Sequence, residues 1–463
     1  MKGPKVAVIG AGSYFFGKAA IWNMINSEIL REGTLALVDT DAKVLDVMMK
    51  LAKKAIAAAG VNTKLICSTD RKQVISDSDF VVLTFSFRNA YYRGLDTMIS
   101  RKYGVTMCSS DTIGPGGIFR ALREVPEILN VARDIKELCP DAWLINFINP
   151  STVNGIALQR FAPEVKSFAL CDGNHLPYAE GDFMKLAGLL PESFNHHKES
   201  IPADILKDFS YKLSGINHLT FIFECTFKGE DRMPYIKEYI YRKALEEWQV
   251  PPSPKAKPRL HFNYIKQFLD VYNAYPTAVS HSKEYVPFFQ GYGVSPATPE
   301  PIITFDAYNR DEEMKAAWAH TEKLANGEIP IEEFLKNGCG DHATDIIESM
   351  WGNLGKQFYI NTLNRGTVPN MPADAVLEMK CDVDMNGPRP LPVGNMPRGL
   401  FGLQMQVLDT HELTAEAAVT CDREILLRAM CTDPIINNIG DARNIMNELL
   451  ELEREHLPEA WYK

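Results

Sequence analysis

What this chain can become is limited first by its opening forty residues. An apolar run, Val6-Ala7-Val8-Ile9, passes straight into Gly10-Ala11-Gly12-Ser13 and a helix start, and a second apolar run, Leu35-Ala36-Leu37-Val38, ends on Asp39. A strand, a glycine turn, a helix and a second strand ending in an acid form the βαβ unit that offers a helix N-terminus to a pyrophosphate. Gly10 permits the tight turn, and Gly12 lets the backbone approach the phosphates, with Ser13, Tyr14 and Phe15 following as cofactor contacts. Asp39 can bond the hydroxyls of an adenosine ribose, which favours NAD over NADP. The third glycine of the usual fingerprint is missing: position 15 is Phe, and the next glycine is Gly17. A plain βα turn without a ligand is the competing reading.

The alternation continues down the chain. Strand candidates lie at 6–10, 34–39, 80–85, 143–146 and 167–171, with helical patterns such as 41–59 and 119–138 between them. Strands alternating with helices predict an α/β fold built on a Rossmann-type, doubly wound parallel sheet. The second half has longer helical patterns at 310–326, 342–353, 413–429 and 442–457, and a strand-like piece at 375–383. Proline-rich loops are expected at 250–258 and 387–397. The expected division is a nucleotide-binding domain over 1–195 and an α+β domain over 196–463 for substrate and oligomerisation, as in the lactate and malate dehydrogenase superfamily. A net charge of -10 over 463 residues argues against nucleic acid and anionic membrane as partners. No apolar run reaches the ~18 residues of a membrane span. Nine cysteines without a CxxC pair or framework spacing suit a reducing, cytoplasmic location.

Four polar clusters fall at or after expected strand ends, where open α/β sheets bind ligands. The first, Ser110-Asp111-Thr112-Ile113-Gly114-Pro115-Gly116-Gly117, turns into a helix and puts Asp111 at its mouth; taken alone, a helix N-cap with a turn is the favoured reading. The second closes an apolar strand with Asn146 and Asn149, the latter held extended by Pro150; an Asx turn is its alternative. The third is Leu170-Cys171-Asp172-Gly173-Asn174-His175, and the fourth is Gly215-Ile216-Asn217-His218. Cys171 can be inert core and His218 a packed ring. Together they make a mixed sulfur–nitrogen pair suited to a borderline divalent ion.

Taken together, these clusters resemble glycoside hydrolase family four over nearly the whole chain. The resemblance continues in Tyr275-Pro276-Thr277, Glu284-Tyr285, Val368-Pro369-Asn370, Gly394-Asn395-Met396-Pro397 and Asp433-Pro434. It implies a glycosidase that uses NAD and a divalent metal, usually Mn²⁺, to oxidise carbon 3 of the sugar, remove the proton on carbon 2, eliminate the aglycone, add water and re-reduce. It implies Cys171 and His218 as metal ligands, Asn149 as a sugar-hydroxyl binder and Asp172 as the catalytic acid, with Asp111 as an alternative acid. Arg88 and His281 are further candidates for holding the substrate. The chain departs from relatives that carry an acid shortly after the Tyr-Pro-Thr motif: here Ala278-Val279-Ser280-His281 follows. The base is therefore open among Tyr275, His281 and Tyr264, with Tyr275 placed first. Asn149-Pro150-Ser151-Thr152 points away from a phosphorylated sugar, so an unphosphorylated α-hexoside or uronide is expected, acted on by a homodimer or homotetramer. Two other readings stand beside this one: an NAD-dependent 2-hydroxy-acid dehydrogenase, and a non-catalytic NAD-binding sensor.

Overall fold

The computed structural model describes residues 2–13, 16–171, 178–195, 199–249, 261–289, 305–338 and 340–463. Six parallel strands form the first half of the sheet: β1 (Lys5–Ile9), β2 (Thr34–Val38), β3 (Lys64–Ser68), β4 (Phe80–Leu83), β5 (Trp143–Asn146) and β6 (Ser167–Ala169). Their spatial order is β3-β2-β1-β4-β5-β6, so the winding reverses between β1 and β4. Such a switch point opens a crevice at the carboxyl ends of the strands. Successive residues of each strand enter different cores. Val6, Val8, Leu35 and Leu37 face one, and Ala7, Ile9, Ala36 and Val38 face the other. Both faces are therefore covered, which is why these strands read as continuous apolar runs rather than alternating ones.

Helices α1 (Gly17–Asn26), α2 (Ala42–Ala59), α3 (Asn89–Lys102), α4 (Gly114–Leu138) and α5 (Ser151–Phe161) make the crossovers. The start of α2 is fixed by Asp41, whose carboxylate accepts from the amides of Lys43 and Val44, and its end by the left-handed Gly60. The sheet does not stop at β6. There it meets β11 (Gln357–Leu363) antiparallel through Ala169 and Asn361, then β12 (Val376–Asp384), β7 (Phe209–Ile216), β8 (Leu219–Phe227) and β10 (Tyr275–Pro276). The short β9 (Glu230–Asp231) pairs with β8, and β13 (Gly387–Pro390) with β12.

The α/β architecture and its doubly wound parallel half agree with the sequence expectation. Several elements correct it. Strands β3, β7, β8 and β11 were not anticipated. The expected loop at 387–397 begins with β13, whose Pro388 and Pro390 are tolerated because the strand pairs on one side only. The single helix expected over 413–429 is two, Arg398–Thr420 and Arg423–Thr432, broken where Cys421 turns left-handed and Asp422 caps the next helix. The loop expected at 250–258 lies outside the described residues. No helix among the described residues is long and apolar enough to cross a membrane.

Candidate active site

The glycine turn after β1 is shaped by near contact. A Cβ on Gly10 (φ +92) would lie 2.5 Å from the Phe85 amide nitrogen, and one on Gly12 would lie 2.1 Å from Cγ1 of Val44. The Gly12 amide donates to Asp39 Oδ2 at 2.9 Å, tying the turn to the end of β2. Gly17 takes over from the missing third glycine: a Cβ there would stand 1.9 Å from the Ala11 carbonyl oxygen, so only glycine lets α1 lie this close to the turn. A cavity of ≈ 270 Å³ adjoins the turn, with Gly12, Ser13 and Lys18 on one wall and Trp318 and Thr321 of the helix Ala307–Asn326 on another. Tyr14 and Phe15, expected here, lie outside the described residues.

At the other end of the crevice, four chain segments converge on Asp111. It precedes α4 in a loop that folds back on the helix start: a Cβ on Gly116 would strike Ser110 Oγ, and one on Gly117 the Thr112 backbone. His218 occupies the two-residue turn between β7 and β8, on left-handed backbone (φ +65). Cys171 follows β6, and Asn149, whose bond to Pro150 is cis, follows β5. His281 lies in the short helix Val279–Ser282. Sequence separation gave no reason to pair Cys171 with His218, yet Sγ and Nε2 are 3.1 Å apart.

The hydrogen bonds assign the tautomer. Thr112 Oγ1 donates its only proton to Asp111 Oδ1 at 2.9 Å and sits 2.9 Å from His218 Nδ1. Nδ1 is then the donor, and Nε2 turns its lone pair toward Cys171. Burial, and next the neighbouring His281, push the His218 imidazole well below its ordinary pKa, so it is neutral as a ligand must be. The His281 ring stacks on His218 with centroids 3.9 Å apart. Its buried Nδ1 has no hydrogen-bond partner among the described residues and is 3.7 Å from Asp111 Oδ1. One donor atom from each of Asp111, His218 and His281 lies within 4.8 Å of the others.

Asp111 is the electrostatic centre. Burial alone would raise its carboxyl pKa, but Arg93, His281, His218 and Arg120 outweigh it and hold the group well below the usual range. It is a carboxylate and an acceptor, taking a further bond from Asn149 Nδ2 at 3.3 Å, and so is poorly suited to donate a proton. The guanidiniums beside it, Arg93 at 3.7 Å and Arg120 at 3.6 Å, were not singled out in the sequence. Arg88, which was, is half-exposed and lies over the Tyr91 ring at 4.1 Å. Tyr275 has Asp182 and Tyr239 as its ionisable neighbours, and burial raises its pKa, which weighs against a base. Tyr264 packs edge-on against Phe289. Asp172 lies outside the described residues. Sequence reasoning also passed over His342 and His411, whose nitrogens donate to the Cys171 and Thr112 carbonyls at 3.2 Å each. Their contacts are to backbone from distant helices, and no motif marks such a contact.

A family model described as family 4 glycosyl hydrolase matches residues 5–180, and that family's C-terminal domain model matches residues 213–436. The chain belongs to glycosyl hydrolase family 4. Its relatives span its full length. One from Bacillus subtilis (strain 168), named probable 6-phospho-β-glucosidase, is 28% identical over 100% of this chain and 99% of its own. An α-galactosidase of the same strain is 27% identical over 98% and 99%. An α-galacturonidase of Thermoanaerobacter italicus is 26% identical over 99% and 98%. Among solved structures, a 6-phospho-α-glucosidase from gut microorganisms in complex with NAD and Mn²⁺ superposes with a TM-score of 0.75 at 20% identity, covering 99% of each chain. A 6-phospho-β-glucosidase from Thermotoga maritima with manganese, NAD⁺ and glucose-6-phosphate has a TM-score of 0.75 at 22% identity, covering 98% of this chain and 99% of its own. These structural likenesses establish the shared fold. As a family 4 member the protein is a glycosidase, and the simple dehydrogenase reading gives way to hydrolysis.

Proposed function

We propose that this family 4 enzyme hydrolyses the α-glycosidic bond of an unphosphorylated hexoside or uronide, with NAD and a divalent ion such as Mn²⁺ as its cofactors. The observation that carries the reading is the 3.1 Å approach of Cys171 Sγ to His218 Nε2, beside Asp111 and His281. A thiolate and a neutral imidazole are the donors a borderline divalent ion takes. The Gly10–Gly12 turn at the switch point fits a dinucleotide. Two structures of the same fold hold NAD and manganese.

Cys171 and His218 would hold the ion, and Gly10, Gly12, Ser13 and Asp39 the dinucleotide. When bound, the pair supplies reversible oxidation of a ring carbon and polarisation of the resulting carbonyl. The chain's own residues do the rest. Asp111, through Thr112, keeps His218 in the ligating tautomer. Asn149 and His281 face the cluster from β5 and from the turn after β10, in position to bind sugar hydroxyls. Asp172, next to Cys171 in sequence, is our candidate for protonating the leaving oxygen, and Tyr275 remains the weaker candidate for the base. Ser151 and Thr152 support an unphosphorylated substrate: both are fully buried, Ser151 donating to the Leu170 carbonyl and Thr152 accepting from the Asn217 amide, so neither hydroxyl is exposed to a phosphate.

The test is a panel of nitrophenyl α- and β-glycosides, uronides and their 6-phosphates, assayed with NAD⁺, Mn²⁺ and a reductant. The expected result is turnover of an unphosphorylated α-substrate, without net NADH and abolished by chelator. Preference for a 6-phosphate or a β-anomer overturns the substrate assignment. Tight NAD binding with no turnover on any glycoside would favour the sensor.

A further inference from the structure

The segment 281–285 belongs to no strand of the sheet, yet its side chains reach both halves of the site. His281 faces Asp111 and stacks on His218. Ser282 Oγ donates to the His218 carbonyl at 2.6 Å, and Tyr285 donates its phenol to the Asn217 carbonyl at 3.1 Å. These two bonds fix the turn that carries His218. Between them, Glu284 turns the other way. It is fully buried, and its Oε2 accepts from three successive amides, Cys108 at 2.8 Å, Ser109 at 2.8 Å and Ser110 at 3.4 Å. The next residue is Asp111. The opposite side of the same loop is gripped by Arg93, whose Nε donates to the Ser109 carbonyl at 2.8 Å. One peptide is thus held by a carboxylate at its N–H and a guanidinium at its C=O. Among the described residues Glu284 Oε1 has no hydrogen-bond partner, so the loop is what this carboxylate holds.

We propose that Glu284 is a positioning residue: it docks the 108–110 backbone so that Asp111 meets Thr112 and His218 in the arrangement that leaves Nε2 facing Cys171. Glu284 touches neither sugar nor cofactor on this account. Convergent backbone donors fix a carboxylate well, and the relation runs equally in reverse, the carboxylate fixing the loop. Displacement of a site by about 1 Å costs on the order of 100-fold in rate. The proposal rests on the reading of Asp111, His218 and Cys171 as the active centre.

Two substitutions separate position from charge. Glu284→Gln keeps an acceptor oxygen at the same reach and removes the charge; Glu284→Asp keeps the charge and withdraws it by one carbon–carbon bond, about 1.5 Å. The first readout is hydrogen exchange of a peptide spanning 105–113 in the full chain, which needs no substrate. Exchange faster in Glu284→Asp than in Glu284→Gln is expected, and equal protection in both variants and the wild type overturns the docking role. The second readout is kcat and KM per folded enzyme, with NAD affinity measured alongside. We expect kcat down about 100-fold in Glu284→Asp and within tenfold of wild type in Glu284→Gln, with KM and NAD affinity within threefold. The reverse order, Gln inactive and Asp active, would assign Glu284 a role through its charge and overturn the proposal. Loosened exchange with unchanged kcat would also overturn it, because the loop would then be held without consequence for the reaction. A wild-type enzyme inactive on every glycoside would count against the proposed function, and the exchange result alone would then judge the docking.

Discussion

At position 218 an imidazole on left-handed backbone has one nitrogen committed to Thr112 and the other turned to Cys171. The commitment is made by a hydroxyl that has already given its proton to Asp111. Replacing Thr112 by Val removes that relay while keeping the shape. Mn²⁺ affinity, measured by calorimetry, should fall roughly 10–100-fold, and NAD affinity should be unchanged; wild-type Mn²⁺ affinity in the variant would show that Nδ1 needs no partner. A second residue-scale effect concerns Asp433, buried and accepting from the amides of Gly114 at 2.8 Å and Ile435 at 3.0 Å. Burial raises its carboxyl from the usual 3.8 to about 7, against the pull of those amides. The folded chain therefore holds this proton more tightly than the unfolded one. The stabilisation is complete below the unfolded value and is lost as pH rises through about 7. Asp433→Asn should thus unfold at a higher temperature than wild type at pH 8, by roughly 2 kcal/mol of stability, and show no advantage at pH 4. An advantage independent of pH would mean that the wild-type carboxyl is not the group responsible.

Among the elements, the glycine turn shows how small the margin is between strand and helix. At Gly17 a methyl group would sit 1.9 Å from the Ala11 carbonyl oxygen, and backbone does not yield as a side chain does. Gly17→Ala should push α1 off the turn and weaken NAD binding at least about tenfold in a fluorescence titration; wild-type affinity would show that the turn adjusts. The βαβ unit and its turn through Gly10, Gly12 and Asp39 were legible because a tight strand-to-helix turn needs those residue types at that spacing. Gly17 was visible too, but its role was not, since the residues between the two glycines did not fit the usual count. The hairpin carrying His218 was hidden because Asn217-His218 lacks the glycine that announces a two-residue turn. The break at Cys421 was hidden for a similar reason, with a cysteine rather than glycine taking the left-handed position. Clusters around Cys171 and Asp111 could be named from sequence, but the metre of the chain says nothing of distance. Glu284, Arg93 and His411 act on backbone atoms across the fold, and only coordinates bring such partners together.

For the molecule as a whole, the consequential feature is that β6 meets β11. The parallel strands that build the nucleotide crevice and the antiparallel strands that bring His218 belong to one sheet. A fragment of residues 1–195 would leave the β6 edge uncovered, an open template for pairing with other chains. It should aggregate or bind NAD far more weakly than the full chain, as size-exclusion chromatography and titration would read; a monomeric fragment with full affinity would show that the parallel half folds independently. Two-lobed enzymes often trap their ligands by swinging one lobe against the other about a flexible joint. Here the sheet runs on where such a joint would have to be, β6 pairing with β11 through Ala169 and Asn361. Capture of the sugar is then a matter of local fitting against a continuous scaffold, and the scattering profile of the protein should look the same with NAD⁺ and Mn²⁺ as without them.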